Sequence, residues 1–295
     1  MSIDKWLKSN TASLVGQTVA VTGTTGGLGK ELCRYLCALG ASLILIDRSA
    51  VRSEAFRDEL TAEFGASVRC INLDLEDISA LKRVGEELKS CEIDVFIHNA
   101  GAYSIPRHKC ATGYDNVFQI NFASPYYLIR TLLPNLEARG GRVVAVGSIA
   151  HRYSKTDPDD IDFSKKRAAS RVYGNAKRYL MFSLFELFKN SERARLAVTH
   201  PGITFTNITA HYPKLIFAII KHPMKLIFMK PRRAALSIVR GVFEDCAHSE
   251  WIGPRAFDIW GAPKRKRLRG VSPAECEHIA RAADEAYERI SNSEE

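Results

Sequence analysis

The 295-residue chain lacks what a disulfide framework, a zinc ribbon or a secreted leader would require. Its cysteines number seven, an odd count, and none forms a CxxC pair. Cys33 and Cys37 fall on one helix face with no His or Cys cluster beside them, so no metal is expected and reduced cytosolic thiols are. The opening Met-Ser-Ile-Asp-Lys-Trp has no long apolar stretch, and no signal peptide is expected there. Acidic residues are missing from Arg193 to Phe243. Nine Lys and Arg lie in that segment, as many as the whole net charge of +9. Interleaved aromatic and basic residues are also missing, so charge alone does not argue for a nucleic-acid partner.

The remainder is ordinary for a soluble globular protein, at 46% apolar and 25% charged residues. Strand-like runs cover Thr18–Thr22, Ser42–Asp47, Ser67–Leu73, Ile93–Asn99, Arg142–Ser148 and Arg195–His200. Helical patterns fill 27–39, 50–64, 76–90, 113–138 and 168–190. Several strands are near-continuous Val, Ile and Leu, as in a sheet covered on both faces. This βαβ rhythm predicts an α/β fold with a doubly wound, Rossmann-type parallel sheet. No repeat, low-complexity stretch or linker divides the chain. The reading is one domain over 14–270, with a lid insertion at about 205–231. Residues 1–13 form an N-terminal arm, in which Ile3, Trp6 and Leu7 share a helix face. Residues 271–295 form a C-terminal helical tail.

Two motifs carry chemistry. Tyr173-Gly-Asn-Ala-Lys177 lies 25 positions after Ser148, which ends a strand-like run. Reducing a carbonyl needs a proton donor, and the reverse needs a base. A tyrosine of pKa about 10 is a poor base at neutral pH. A lysine four residues later on a helix lies on the same face, and its charge would lower that pKa. The Ser148 hydroxyl can orient the substrate oxygen. Upstream, Thr-Gly-Thr-Thr-Gly-Gly-Leu-Gly follows the first strand and opens a helix, a site for pyrophosphate. Its spacing fits GxxxGxG through Gly23, Gly27 and Gly29, or GxxGxxG through Gly23, Gly26 and Gly29. Asp47 ends the second strand, where a carboxylate would bind the adenosine ribose of NAD; a helix cap or loop acid is the alternative.

Together these residues resemble the short-chain dehydrogenase/reductase family, from about Leu14 to at least Phe205. The further matches are Asn-Leu-Asp-Leu (72–75), His-Asn-Ala-Gly (98–101), Asn121 and His-Pro-Gly (200–202). The resemblance implies a catalytic tetrad of Asn121, Ser148, Tyr173 and Lys177, with Asn121 holding a helix bend and a water. It implies that Gly23, Gly27, Leu28 and Gly29 line the pyrophosphate. Asp74 and Leu75 would lie at the adenine, and Asn99, Ala100 and Gly101 beside the cofactor. Pro201, Gly202 and Thr206 would flank the nicotinamide. Gly-Ser-Ile-Ala-His (147–151) and the long gap to Tyr173 are similar to the retinol-dehydrogenase-like branch. Gly147 departs from that branch, which usually has Ser there.

Asp47 also departs, and it bears on the cofactor. It would repel a 2′-phosphate, whereas Arg48 would attract one. NAD is therefore the expected cofactor, with NADP the alternative. The expected substrate is a small lipophilic alcohol, aldehyde or ketone. The apolar runs at 215–220 and 226–229 are too short to span a bilayer. Lys214, Lys221 and Lys225 lie at helical spacing, as in an interfacial segment on anionic lipid. The same segment reads equally as the roof of a greasy pocket or a subunit contact. The expected location is cytoplasmic, with peripheral membrane contact through 205–231 and homo-oligomerisation as additions. The basic run 263–269 reads as solvated surface.

Overall fold

A computed structural model describes residues 2–203 and 229–293. Its centre is an eight-stranded sheet of order β3-β2-β1-β4-β5-β6-β7-β8. The strands are β1 Thr18–Thr22, β2 Ser42–Asp47, β3 Val68–Asn72, β4 Val95–His98, β5 Arg142–Val146, β6 Arg195–Thr199, β7 Glu250–Ala256 and β8 Trp260–Arg267. All neighbours run parallel except β7 and β8, which form an antiparallel hairpin. The chain order reverses between β1 and β4. Loops leave a crevice at such a switch point, beyond the carboxyl ends of the strands.

The doubly wound parallel sheet expected from the sequence is present, and its first six strands lie within the expected runs. The periodicity of β1 explains why both faces are covered. Val19 and Val21 enter one core and Ala20 the other, because successive strand side chains point to opposite faces. One core packs α2 (Gly27–Ala38), α3 (Ala50–Phe64) and a late helix, α8 (Pro231–Phe243). The other packs α4 (Ile78–Lys89), the short α5 (Asn116–Phe118), α6 (Ser124–Arg139), α7 (Ala169–Phe188) and the C-terminal helix α9 (Pro273–Ser291). A short N-terminal helix, α1 (Ile3–Asn10), buries Trp6 in the first of these cores, with Ile3 and Leu7 beside it.

Two elements after the expected lid differ from the sequence reading. The basic run 263–269 largely belongs to strand β8. Sheet edges resist pairing with other chains when they carry Lys, Arg and Pro. Those residues made the segment read as solvated surface, and its side chains are indeed mostly exposed. Strand β7 contains Gly253 and Pro254, which hide it from a β-pattern search. Residues 204–228 carry most of the expected lid and its lysines, and they lie outside the described residues.

Candidate active site

A cleft of about 610 Å³ opens over the carboxyl ends of the strands. It is lined by Gly23, Gly27, Leu28, Gly29, Asp47, Arg48, Asp74, Leu75, Asn99, Ala100 and Gly101 at one side. Ser148, Tyr173, Lys177, Pro201 and Gly202 line the other. Of the residues expected there, Asn121 stands behind the wall and Thr206 lies outside the described residues.

At the nucleotide end, the loop after β1 turns directly into α2. The Gly26 cap has no side-chain acceptor for the first helical N–H groups. Those groups and the helix dipole suit an anion. Gly29 is fixed by close approach: a Cβ there would sit 2.2 Å from the Gly23 carbonyl oxygen. Asn99 ties the end of β4 to the end of β1, donating from Nδ2 to the carbonyls of Thr22 (3.1 Å) and Gly23 (2.9 Å). Its Oδ1 is buried with no partner among the described residues and can accept from a ligand hydroxyl. The donors and acceptors present therefore fit a dinucleotide.

Asp47 is more heavily engaged than its position in the sequence suggests. Its carboxylate is buried and accepts from the Thr24 hydroxyl, the Thr25 amide (3.1 Å), the Thr25 hydroxyl (3.2 Å) and the Ser53 hydroxyl (3.2 Å). It braces the glycine-rich loop from one strand away. Arg52, which the sequence reading passed over, also lines the cleft and donates to the Thr25 carbonyl at 2.9 Å.

At the catalytic end, Ser148 caps a 3₁₀ turn, Ile149–Tyr153, and its Oγ accepts from the Ala150 amide at 3.2 Å. Tyr173 and Lys177 lie one turn apart on α7. Tyr103 meets the Tyr173 ring edge-on, with centroids 5.4 Å apart. Burial pushes the Tyr173 phenol up to about 12, against a lowering hydrogen bond from Ser148. Burial also lowers the Lys177 ammonium to about 7, and its Nζ donates to the Val146 carbonyl at 2.8 Å. The influence that lowers the Tyr173 phenol is the Ser148 hydrogen bond rather than the charge of Lys177. The ammonium lies 5.8 Å from the tyrosine ring centroid and is directed to the end of β5. Desolvation drives both groups toward their neutral forms.

Asn121 sits in a π-helical turn, Gln119–Ala123, within the helix behind the cleft. Its Nδ2 donates to the carbonyls of Val117 and Ala102, both at 2.8 Å, and its Oδ1 accepts from the Ala102 amide at 3.2 Å. It therefore fastens the loop after β4 to the bent helix. Such π-turns recur at functional sites. Arg107 is a structural tie: it pairs with Asp115 at 2.8 Å and donates to the Phe163 carbonyl at 2.8 Å. His108 pairs with Glu76.

Comparison with known proteins agrees with this geometry. The family model for short chain dehydrogenase matches residues 17–157. The bovine (Bos taurus) dehydrogenase/reductase SDR family member 13 is 29% identical over 291 residues, covering 90% of this chain and 76% of that protein. Human (Homo sapiens) retinol dehydrogenase 14 is 28% identical over 276 residues, covering 82% of each. Among solved structures, an uncharacterized protein from Mycobacterium paratuberculosis superimposes with a TM-score of 0.71 at 23% identity, covering 97% of both chains. A short-chain dehydrogenase from Sphingobium yanoikuyae in complex with NADPH gives 0.61 at 18% identity, covering 95% of this chain and 97% of that one. The family model spans the glycine-rich loop, Asn121 and Ser148, and the relatives extend over most of the chain. These matches support the short-chain dehydrogenase/reductase family for this chain and make it similar to the retinol-dehydrogenase-like branch.

Proposed function

We propose that this protein is an NAD(P)-dependent oxidoreductase acting on a lipophilic alcohol, aldehyde or ketone, with Tyr173 as general acid and base. The observation that carries the reading is the convergence of Ser148, Tyr173 and Lys177 at one end of a cleft whose other end is a glycine-rich helix start. A bound nicotinamide would be the source or acceptor of the hydride. Gly23, Gly27 and Gly29 admit the pyrophosphate to the α2 N-terminus, while Asn99 offers Oδ1 to a hydroxyl. Ser148 Oγ orients the substrate oxygen. Tyr173, neutral at physiological pH, gives its phenolic proton to that oxygen during reduction. Lys177 and Asn121 stand behind it as the route by which that proton is replaced.

NAD is the cofactor this reading favours. A carboxylate at the ribose end repels a 2′-phosphate even when its oxygens also brace the loop, and Arg48 and Arg52 oppose that repulsion. The class of substrate rests on the relatives named for retinol, a lipophilic alcohol. The test is a panel of lipophilic alcohols and carbonyls with each cofactor in each direction, followed by its absorbance. No turnover with any pairing would refute the reading.

One observation favours peripheral membrane contact as an accompanying property. Phe257, at the tip of the β7–β8 hairpin, is 82% exposed, and Tyr153 on the rim of the cleft is 57% exposed. Arg152 and Lys266 pair with Asp258 beside that tip, at 3.0 and 2.5 Å. Aromatic residues among basic ones suit an anionic interface. No helix among the described residues is long and apolar enough to cross a membrane. Sedimentation with anionic vesicles at low and high salt tests this. Wild-type protein that stays in the supernatant at low salt would remove it.

A further inference from the structure

The two carriers of the catalytic groups are separate pieces of chain. Ser148 begins the Ile149–Tyr153 turn, which is followed by a short irregular segment to Thr156, whereas Tyr173 and Lys177 lie on α7. Residues 157–168 join them as a loop. The distance between the Ser148 and Tyr173 hydroxyls therefore depends on what fastens one carrier to the other.

Glu275, in the first turn of α9, reaches both. Its Oε1 accepts from Arg178 Nε at 2.6 Å, and its Oε2 from Arg178 Nη2 at 2.7 Å. Oε1 also accepts from the Thr156 amide (3.3 Å) and hydroxyl (3.1 Å). Arg178 directly follows Lys177 on α7. Its Nη1 donates to the His151 carbonyl at 3.4 Å, and the His151 ring bonds the Ser148 carbonyl at 2.7 Å. The ion pair is largely shielded from water, with side-chain exposures of 11% and 16%. Ser272 caps the helix by accepting from the Glu275 amide at 3.2 Å, which fixes where the carboxylate starts. A second tie joins α7 to α9 through the Tyr179 hydroxyl and His278 Nε2, 2.6 Å apart.

We propose that Glu275 is a positioning residue that clamps the Ser148 turn to the Tyr173–Lys177 helix, so that the C-terminal helix sets the spacing of the two catalytic hydroxyls. The inference rests on the reading of Ser148 and Tyr173 given above. A bidentate arginine–carboxylate pair is directional as well as strong. Shifts of about 1 Å far from the chemistry can cost about 100-fold in rate. The clamp also touches acidity. The Ser148 hydrogen bond lowers the Tyr173 pKa, so separating the carriers raises it.

The test uses full-length Glu275→Ala, Glu275→Gln and Thr156→Val, with the best substrate from the panel. Glu275→Ala is expected to lower kcat by about 10- to 100-fold, to leave cofactor Kd within about twofold, and to move the tyrosine limb of the pH profile upward. Glu275→Gln keeps acceptor oxygen for Thr156 and should recover part of kcat. Thr156→Val removes only the hydroxyl's bond to the carboxylate and serves if Glu275→Ala does not fold. Tyrosinate absorbance, read as the difference between each variant and its Tyr173→Phe partner, follows the Tyr173 pKa without turnover. That readout separates failure of the clamp from failure of the assigned chemistry. A folded Glu275→Ala with unchanged kcat and unchanged Tyr173 titration would overturn the proposal, as would a loss confined to cofactor Kd.

Discussion

At the nucleotide end of the cleft, the shape comes from backbone. The loop 23–29 sits between a strand and its own helix, and Gly29 packs its Cα against the Gly23 carbonyl. Asp47, one strand away, braces the loop. At the catalytic end, the shape comes from side chains that bridge distant segments. Glu275 holds Arg178 and Thr156, and Tyr179 meets His278. The first end is specified within short stretches of sequence. The second needs the chain folded through to α9. Local disruption should therefore damage binding at one end and turnover at the other.

The largest effect should come from Tyr173→Phe. It deletes the proton donor and leaves the nucleotide end intact. General acid–base contributions run from about 100- to 10,000-fold, and kcat should fall within that range while cofactor Kd is unchanged. Kinetics and a binding titration on the same preparation check both halves. Near wild-type turnover would remove Tyr173 from the chemistry.

Two glycine replacements compare the ends directly. Gly174 lies inside α7, where alanine usually stabilises a helix by up to about 1 kcal/mol. Here an added Cβ would meet the Ala150 carbonyl oxygen at 2.2 Å, in the turn that follows Ser148. Gly174→Ala should instead destabilise by about 1–3 kcal/mol and lower kcat, because α7 must move away from Ser148. At Gly27 a Cβ would meet, among the described residues, Pro231 Cγ at 3.8 Å. Gly27→Ala should leave the melting temperature nearly unchanged and weaken cofactor binding, because Gly27 lines the cleft where the pyrophosphate would enter. Thermal melts and steady-state kinetics report the contrast. An equally mild Gly174→Ala would mean that α7 and the turn are not held in close register.

Legibility in the sequence follows the same division. The six strands through β6, the glycine-rich loop, Asp47, Ser148, Tyr173 and Lys177 announced themselves through periodicity or contiguous motif, and Asn121 through the family resemblance. The strands β7 and β8 did not, because two prolines, two glycines and a run of Lys and Arg mask strand character on a sheet edge. Glu275 and Arg178 were invisible for a different reason. Each is an ordinary charged residue on an amphipathic helix, and only folding brings them to 2.6 Å. Spacing also failed to anticipate the electrostatics. The YxxxK interval puts Lys177 on the face of Tyr173, but burial and the Val146 carbonyl decide where its proton and its Nζ go.

Asp47→Ala sharpens the comparison at the nucleotide end. Simple repulsion predicts weaker NAD and stronger NADP. Because the carboxylate also accepts from Thr24, Thr25 and Ser53, its removal unbraces the loop for both cofactors. Loss of a few such bonds, each worth about 0.5–1.5 kcal/mol, should weaken NAD by roughly 10-fold or more. NADP should gain less than charge alone would give. Titration of each cofactor against wild type and variant decides. A clean exchange of the two affinities would mean that the loop does not depend on the brace.

The last effect is on stability rather than rate, a pH dependence at the catalytic end. His151 and His200 flank Trp251: one meets the indole edge-on with centroids at 5.4 Å, and the other stacks on it at 4.9 Å. Burial lowers both imidazoles to about 4. In the unfolded chain they titrate near 6.5. Between these values the unfolded state binds protons that the native state refuses, so stability is complete above about pH 6.5 and declines as pH falls toward 4. Each proton is worth about 1.4 kcal/mol per pH unit over that window. His98, at the end of β4 and 3.2 Å from the Thr22 hydroxyl, is also held well below its ordinary value by burial, so it adds to the same decline. Urea midpoints measured from pH 7 to 4.5 should decline, and the decline should be shallower in His200→Gln, which has no imidazole to protonate. A flat wild-type profile would show that these rings accept their protons without leaving the fold.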